Sequence, residues 1–137
     1  MVRVVAKSLV LKGLVGSVAM ALALTGCGIS PDNRAVLAAT QSYLAAIGGG
    51  DGQAACAALT PRAADSLRSG GESCAETITG LGLTAGRVLE VRVWGDYAQV
   101  RLSSDTLFLA ESSAGWKVSA AGCERRPGQP YDCEVEA

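Results

Sequence analysis

Two hydrophobic periods divide the chain. Between Val36 and Ile47 the apolar positions (Val36, Leu37, Thr40, Tyr43, Leu44 and Ile47) recur every three or four residues, which marks one face of a helix. From Arg87 onward the interval drops to two. Leu89, Val91 and Val93 alternate with Glu90, Arg92 and Trp94, as in a strand with one buried face. Helical pattern first and strand pattern last predicts an α+β domain whose helices cover the apolar face of a sheet.

Punctuation between these runs refines the picture. Ser30-Pro31 offers a capping side chain and a proline at the first helical position, and the glycines from Gly48 to Gly52 end that helix. Asp51 can cap a second helix with Ala55, Cys56 and Leu59 on one face. Thr60-Pro61 starts a third that reaches Leu67, and a fourth carries Cys74, Ile78 and Leu81 inward.

In the strand half, Gly95-Asp96 is a two-residue turn. Folding there sets Trp94 against Tyr97, Val93 against Ala98, Val91 against Val100 and Leu89 against Leu102. The same register puts Glu90 opposite Arg101, a favourable charge pair. Two more turns bring back Leu107 and Leu109, then Trp116, Val118 and Ala120, all on the apolar side. The expectation is a four-stranded antiparallel meander.

The start of the chain has a different character. Residues 1–12 carry Arg3, Lys7 and Lys12 and no acid, and an uncharged apolar run follows. This is the layout of a secretory signal. A retained span needs roughly 20 apolar residues, whereas Gly13 to Gly26 supplies about 14. The run closes on Leu24-Thr25-Gly26-Cys27, which resembles a bacterial lipobox. The resemblance implies a signal peptide over residues 1–26, a diacylglyceryl group on Cys27, a tether over 27–32 and a domain over 33–137. It also implies a location on the extracytoplasmic side of the cell membrane, held there by lipid, because two acyl chains anchor a protein stably and one does not.

Cysteine arithmetic agrees. Five cysteines are an odd number, and assigning Cys27 to lipid leaves Cys56, Cys74, Cys123 and Cys133. Four cysteines allow three pairings. Sequence proximity favours Cys56–Cys74 and Cys123–Cys133, the second closing residues 123–133 into a loop. Their spacing does not suit zinc, and export favours oxidation, so no metal or other cofactor is expected.

The layout from Asp32 to Ala121 resembles the NTF2-like cone fold of the SnoaL type, on the long first helix, on "VRVWGDYAQVRL" and on "AGWKVSAAG". That superfamily hosts isomerases, dehydratases and binding modules, so the resemblance implies a fold and leaves activity open. The Ala/Gly/Arg-rich style is similar to that of lipoproteins from high-GC Gram-positive bacteria.

Composition narrows the function. The chain has 12 basic and 13 acidic residues. Three of the basic ones precede the apolar run, so the remainder carries about −4, and a nucleic-acid partner is not expected. There is no histidine, which removes the commonest general base and the commonest metal ligand. Carboxylates remain as candidates. Glu90 points away from the apolar face, Asp96 and Asp105 lie in turns, and Glu111 falls inward by strand parity. Tyr43 can donate into a pocket from the first helix, and Arg125 with Arg126 can grip a carboxylate or an anionic headgroup. The expected function is a non-catalytic, membrane-anchored module that binds a small ligand or an envelope protein. The alternative is a SnoaL-like enzyme using Glu111 or Asp96.

Overall fold

Short polar side chains start the helices, because the first N–H groups of a helix have no partner within it. The computed structural model describes residues 30–136; the expected signal segment and Cys27 lie outside them. Helix α1 (Pro31–Gly48) begins at Ser30, whose hydroxyl accepts from Asn33 N at 3.2 Å. Asp51 caps α2 (Gly52–Ala57) through Ala54 N at 3.0 Å, and Thr60 caps α3 (Pro61–Ser66) through Ala63 N at 3.3 Å. In α4 (Cys74–Gly80), Ser73 Oγ accepts from Glu76 N while the Glu76 carboxylate accepts from Ser73 N, a capping box.

The rest of the chain forms five antiparallel strands in sequential order: β1 (Val88–Trp94), β2 (Tyr97–Leu102), β3 (Thr106–Ser112), β4 (Gly115–Glu124) and β5 (Asp132–Val135). The expected meander had four. The fifth comes from the stretch read as a disulfide loop: Cys123 pairs with Cys133 and Ala121 with Val135, so that loop is the connection of a hairpin. Asp132-Cys133-Glu134-Val135 does alternate polar with apolar, and the reading of residues 123–133 as a closed loop hides that alternation.

The first hairpin has the expected register from Trp94↔Tyr97 through Glu90↔Arg101. It then departs from it. Leu102 meets Val88 rather than Leu89, because a bulge inserts one residue and turns Leu89 outward to 48% exposure. Two further irregularities in the β3–β4 ladder shift the parity of β4. Trp116 and Val118 point inward as expected, but Ala121, not Ala120, is the next buried residue.

Helix α1 contributes Val36, Thr40, Tyr43 and Ala46 to the interior, with Leu37, Leu44 and Ile47 half-buried at its flanks. They meet Val100, Leu107, Leu109, Val118 and Val135 from the sheet, and Leu59 and Ile78 from the short helices. Helices of six or seven residues are marginal alone, and the Cys56–Cys74 disulfide ties α2 to α4. Strand β5 covers only the second half of β4. The first half is closed by the segment after α2, with Thr60 N donating to Val118 O at 2.8 Å and Val118 N to Ala58 O at 2.9 Å.

Candidate functional site

Side chains of β1 and β2 that do not enter the core face the open side of the sheet. The register decides which of them meet. Glu90 is opposite Arg101, Arg92 opposite Gln99, and Arg101 in turn opposite Thr106 of β3. With Arg125 and Tyr131 from the connection between β4 and β5, these residues line a cavity of about 320 Å³.

That connection is held down at several points. Its base is closed by the Cys123–Cys133 disulfide. Further along, Gln99 Nε2 donates to the Tyr131 hydroxyl at 2.9 Å. The Tyr131 ring stands edge-on to Phe108 at 5.1 Å between centroids. Arg125 and Tyr131 also line a second concavity of about 520 Å³ with Arg126, Pro127 and Gly128, so the groove continues onto the loop.

The charge of the groove is unbalanced. Glu90 pairs with Arg92 at 2.8 Å and with Arg101 at 3.4 Å. The hydrogen bond from Arg92, followed by the charges of Arg92 and Arg101, holds the Glu90 carboxyl below the usual carboxylate range. Arg125 makes no ion pair among the described residues. Three guanidinium groups therefore line the cavity with one carboxylate, which pairs with two of them. A neighbouring surface hollow shares Arg101 and Arg125 and adds Asp105 and Glu124. The Asp105 carboxylate is committed to structure, accepting from Gly122 N at 2.8 Å and from Ser104 Oγ at 2.6 Å.

The other expected site residues disperse. Arg126 does not join Arg125 in the cavity and is ion-paired with Asp132. Glu111 shares the inward face with Trp116, its partner near the end of β3, but nothing covers it there and the side chain is exposed. Asp96 is exposed in the first hairpin turn. Tyr43 is buried under the sheet at 2% exposure. Its hydroxyl and that of Thr40 have no hydrogen-bond partner among the described residues. Burial, with Asp105 second, pushes the Tyr43 hydroxyl above its ordinary range. Among the described residues no cluster of His, Cys, Asp or Glu suits a metal ion, and no helix is long and apolar enough to cross a membrane.

Sequence reasoning missed Arg92, Arg101, Gln99 and Tyr131 as a group. Part of the signal was available, since the hairpin register already placed Glu90 against Arg101 on the outward face. What it lacked was the pairing of β4 with β5, whose connection brings Arg125 and Tyr131 back over those positions. Compared with known proteins, the chain matches no protein-family model, no curated protein and no solved structure.

Proposed function

We propose that the chain is a non-catalytic lipoprotein, anchored through Cys27 on the extracytoplasmic side of the cell membrane, whose domain binds a small anionic ligand between Arg92, Arg101 and Arg125. The observation that carries this reading is the excess of three guanidinium groups over one carboxylate around a shared cavity. Guanidinium forks match carboxylate and phosphate oxygens in pairs, and charge-assisted bonds of this kind are about twice as strong as neutral ones. The cavity volume lies in the range of small-ligand sites. A long first helix over a meander also supports the NTF2-like reading. The apolar face of the sheet is filled by core side chains, which favours the open face as the ligand site.

The test is a calorimetric titration of the full-length protein with succinate, glutarate and inorganic phosphate. At least one of these anions binds, and Arg125→Ala or Arg92→Ala weakens it about tenfold, the loss of roughly 1.4 kcal/mol expected for one charge-assisted contact. Binding unaffected by either substitution would move the site elsewhere.

A further inference from the structure

Among the described residues the exposed large hydrophobic side chains are Leu89, Trp94 and Tyr97. Trp94 and Tyr97 are a cross-strand pair flanking the first hairpin turn, 51% and 61% exposed. We infer that this pair is a membrane-contact element, which rests in the headgroup region of the bilayer that the chain is anchored to and sets the height of the arginine groove above it. The inference rests on the Cys27 anchor reading and deepens it.

The position of α1 supports this occupant. Its C-terminal end approaches the residues before β1: a Cβ on Gly48 would lie 3.4 Å from that of Ala85. Its middle lies beside the start of β4, where Ala39 and Ser42 share a surface hollow with Trp116 and Lys117. Lys117 is in the row that runs across the sheet through Ala110 and Tyr97 to Trp94. The first turn of α1 is therefore at the end of the sheet that carries the Trp94–Tyr97 hairpin. Cys27 precedes Ser30 by three residues, at most about 11 Å of extended chain. A lipid on Cys27 thus holds that end of the sheet near the bilayer surface.

The chemistry fits the same surface. Trp and Tyr favour the membrane interface, where the ring is in an apolar layer and the polar edge stays wet. Glu90 pairs with Arg92, and Asp96 in the turn with Glu111 beside it offsets Lys117, so the contact depends on the rings and not on anionic lipid. Arg92 lies two residues from Trp94 and Glu90 four, which places the groove about 7–13 Å from the rings along the strand. A ligand of the groove is then met at or just above the headgroups.

The experiment uses the full-length lipidated protein in phosphatidylcholine vesicles whose acyl chains are or are not brominated near the glycerol. Trp94 and Trp116 are the two tryptophans. Trp116 is 8% exposed, so subtracting the emission of a Trp94→Phe variant isolates Trp94. Bromination lowers the Trp94 component at least about twofold, and high salt leaves that loss unchanged. Intact mass reports the lipid on Cys27 separately. A lipidated protein whose Trp94 component is unquenched overturns the contact and leaves the anchor standing. An unlipidated Cys27 overturns both.

Discussion

Gln99 and Tyr131 are 32 residues apart in sequence and joined by a hydrogen bond of 2.9 Å, the Gln99 amide donating to the phenol oxygen. Gln99 belongs to the sheet and Tyr131 to the connection that leads into β5, so this bond joins two parts of the groove. Phe108 braces the same ring from β3. Arg125 is presented to Arg92 and Arg101 by a segment fixed at the disulfide and at Tyr131.

Tyr131→Phe keeps the ring contact and removes the bond. A net hydrogen bond is worth about 1 kcal/mol, so the melting temperature falls only slightly. Anion affinity falls several-fold, because Arg125 loses part of its positioning. A melt and a titration on the same sample separate the two effects. Unchanged affinity would mean that the disulfide alone positions Arg125.

Non-reducing peptide mapping yields Cys56 linked to Cys74 and Cys123 linked to Cys133. Replacing Cys56 and Cys74 together by Ser costs about 3 kcal/mol by the loop-entropy argument, because that bridge fixes two helices too short to persist alone. Replacing Cys123 and Cys133 releases a shorter loop and weakens anion binding more than it weakens the fold. Equal effects of both double variants on binding would contradict this division of roles.

The two halves of the domain differ in how openly their sequences state them. Caps at Ser30, Asp51 and Thr60 are local chemistry, read from neighbouring residues, and they start the helices in the structure. The register from Trp94 to Glu90 was equally legible, since two faces of one hairpin had to agree. Leu89 and Ala120 were misplaced for a single reason. Each lies beside a bulge, where an extra residue breaks the alternation of faces, and no local residue type announces where one falls. Glu111 failed differently, since parity says which way a residue points and not whether anything covers it. The groove was hidden because Arg92 and Arg125 are brought together by pairing of β4 with β5, which is a tertiary event.

Gly52 is buried at the start of α2, where a Cβ would run into the backbone of Ala75 in α4. Backbone cannot yield as a flexible side chain does, so Gly52→Ala pushes α2 away from α4 and destabilises by about 1–3 kcal/mol. Gly80 has open space around it, and Gly80→Ala serves as the control, with a change within about 0.5 kcal/mol. Denaturant unfolding of the two variants reads the difference. Equal stability would show that the α2–α4 approach is loose.

Tyr43 and Thr40 each bury a hydroxyl with no partner among the described residues. Removing an unsatisfied buried group relieves its desolvation penalty, so Tyr43→Phe leaves stability unchanged or raises it, by up to about 1 kcal/mol. The effect grows at alkaline pH. The folded Tyr43 is harder to ionise than an unfolded tyrosine of pKa 10.0, so its contribution is complete below 10.0 and is lost as pH rises beyond it. Tyr43→Phe therefore shifts the alkaline unfolding limb upward. A loss above about 2 kcal/mol at neutral pH would reveal a partner for the hydroxyl, such as buried water.

Glu90 competes with any anion for Arg92 and Arg101, since both guanidinium groups already pair with it. Glu90→Gln removes the competing charge and raises affinity for sulfate several-fold at neutral pH. Acid has the same effect on the wild-type protein, but only late. The Glu90 carboxyl titrates below its ordinary 4.5, so the rise in affinity begins beneath that value and is absent between 5 and 7. Stability moves in the opposite sense. A depressed carboxylate stabilises the fold above its unfolded pKa, and that contribution disappears as pH falls through the folded value. Sulfate is the suitable probe because it stays dianionic across this window, whereas succinate takes up protons over the same interval and loses its own charge. Weaker sulfate binding by Glu90→Gln would show that the carboxylate orients the two arginines more than it opposes the ligand.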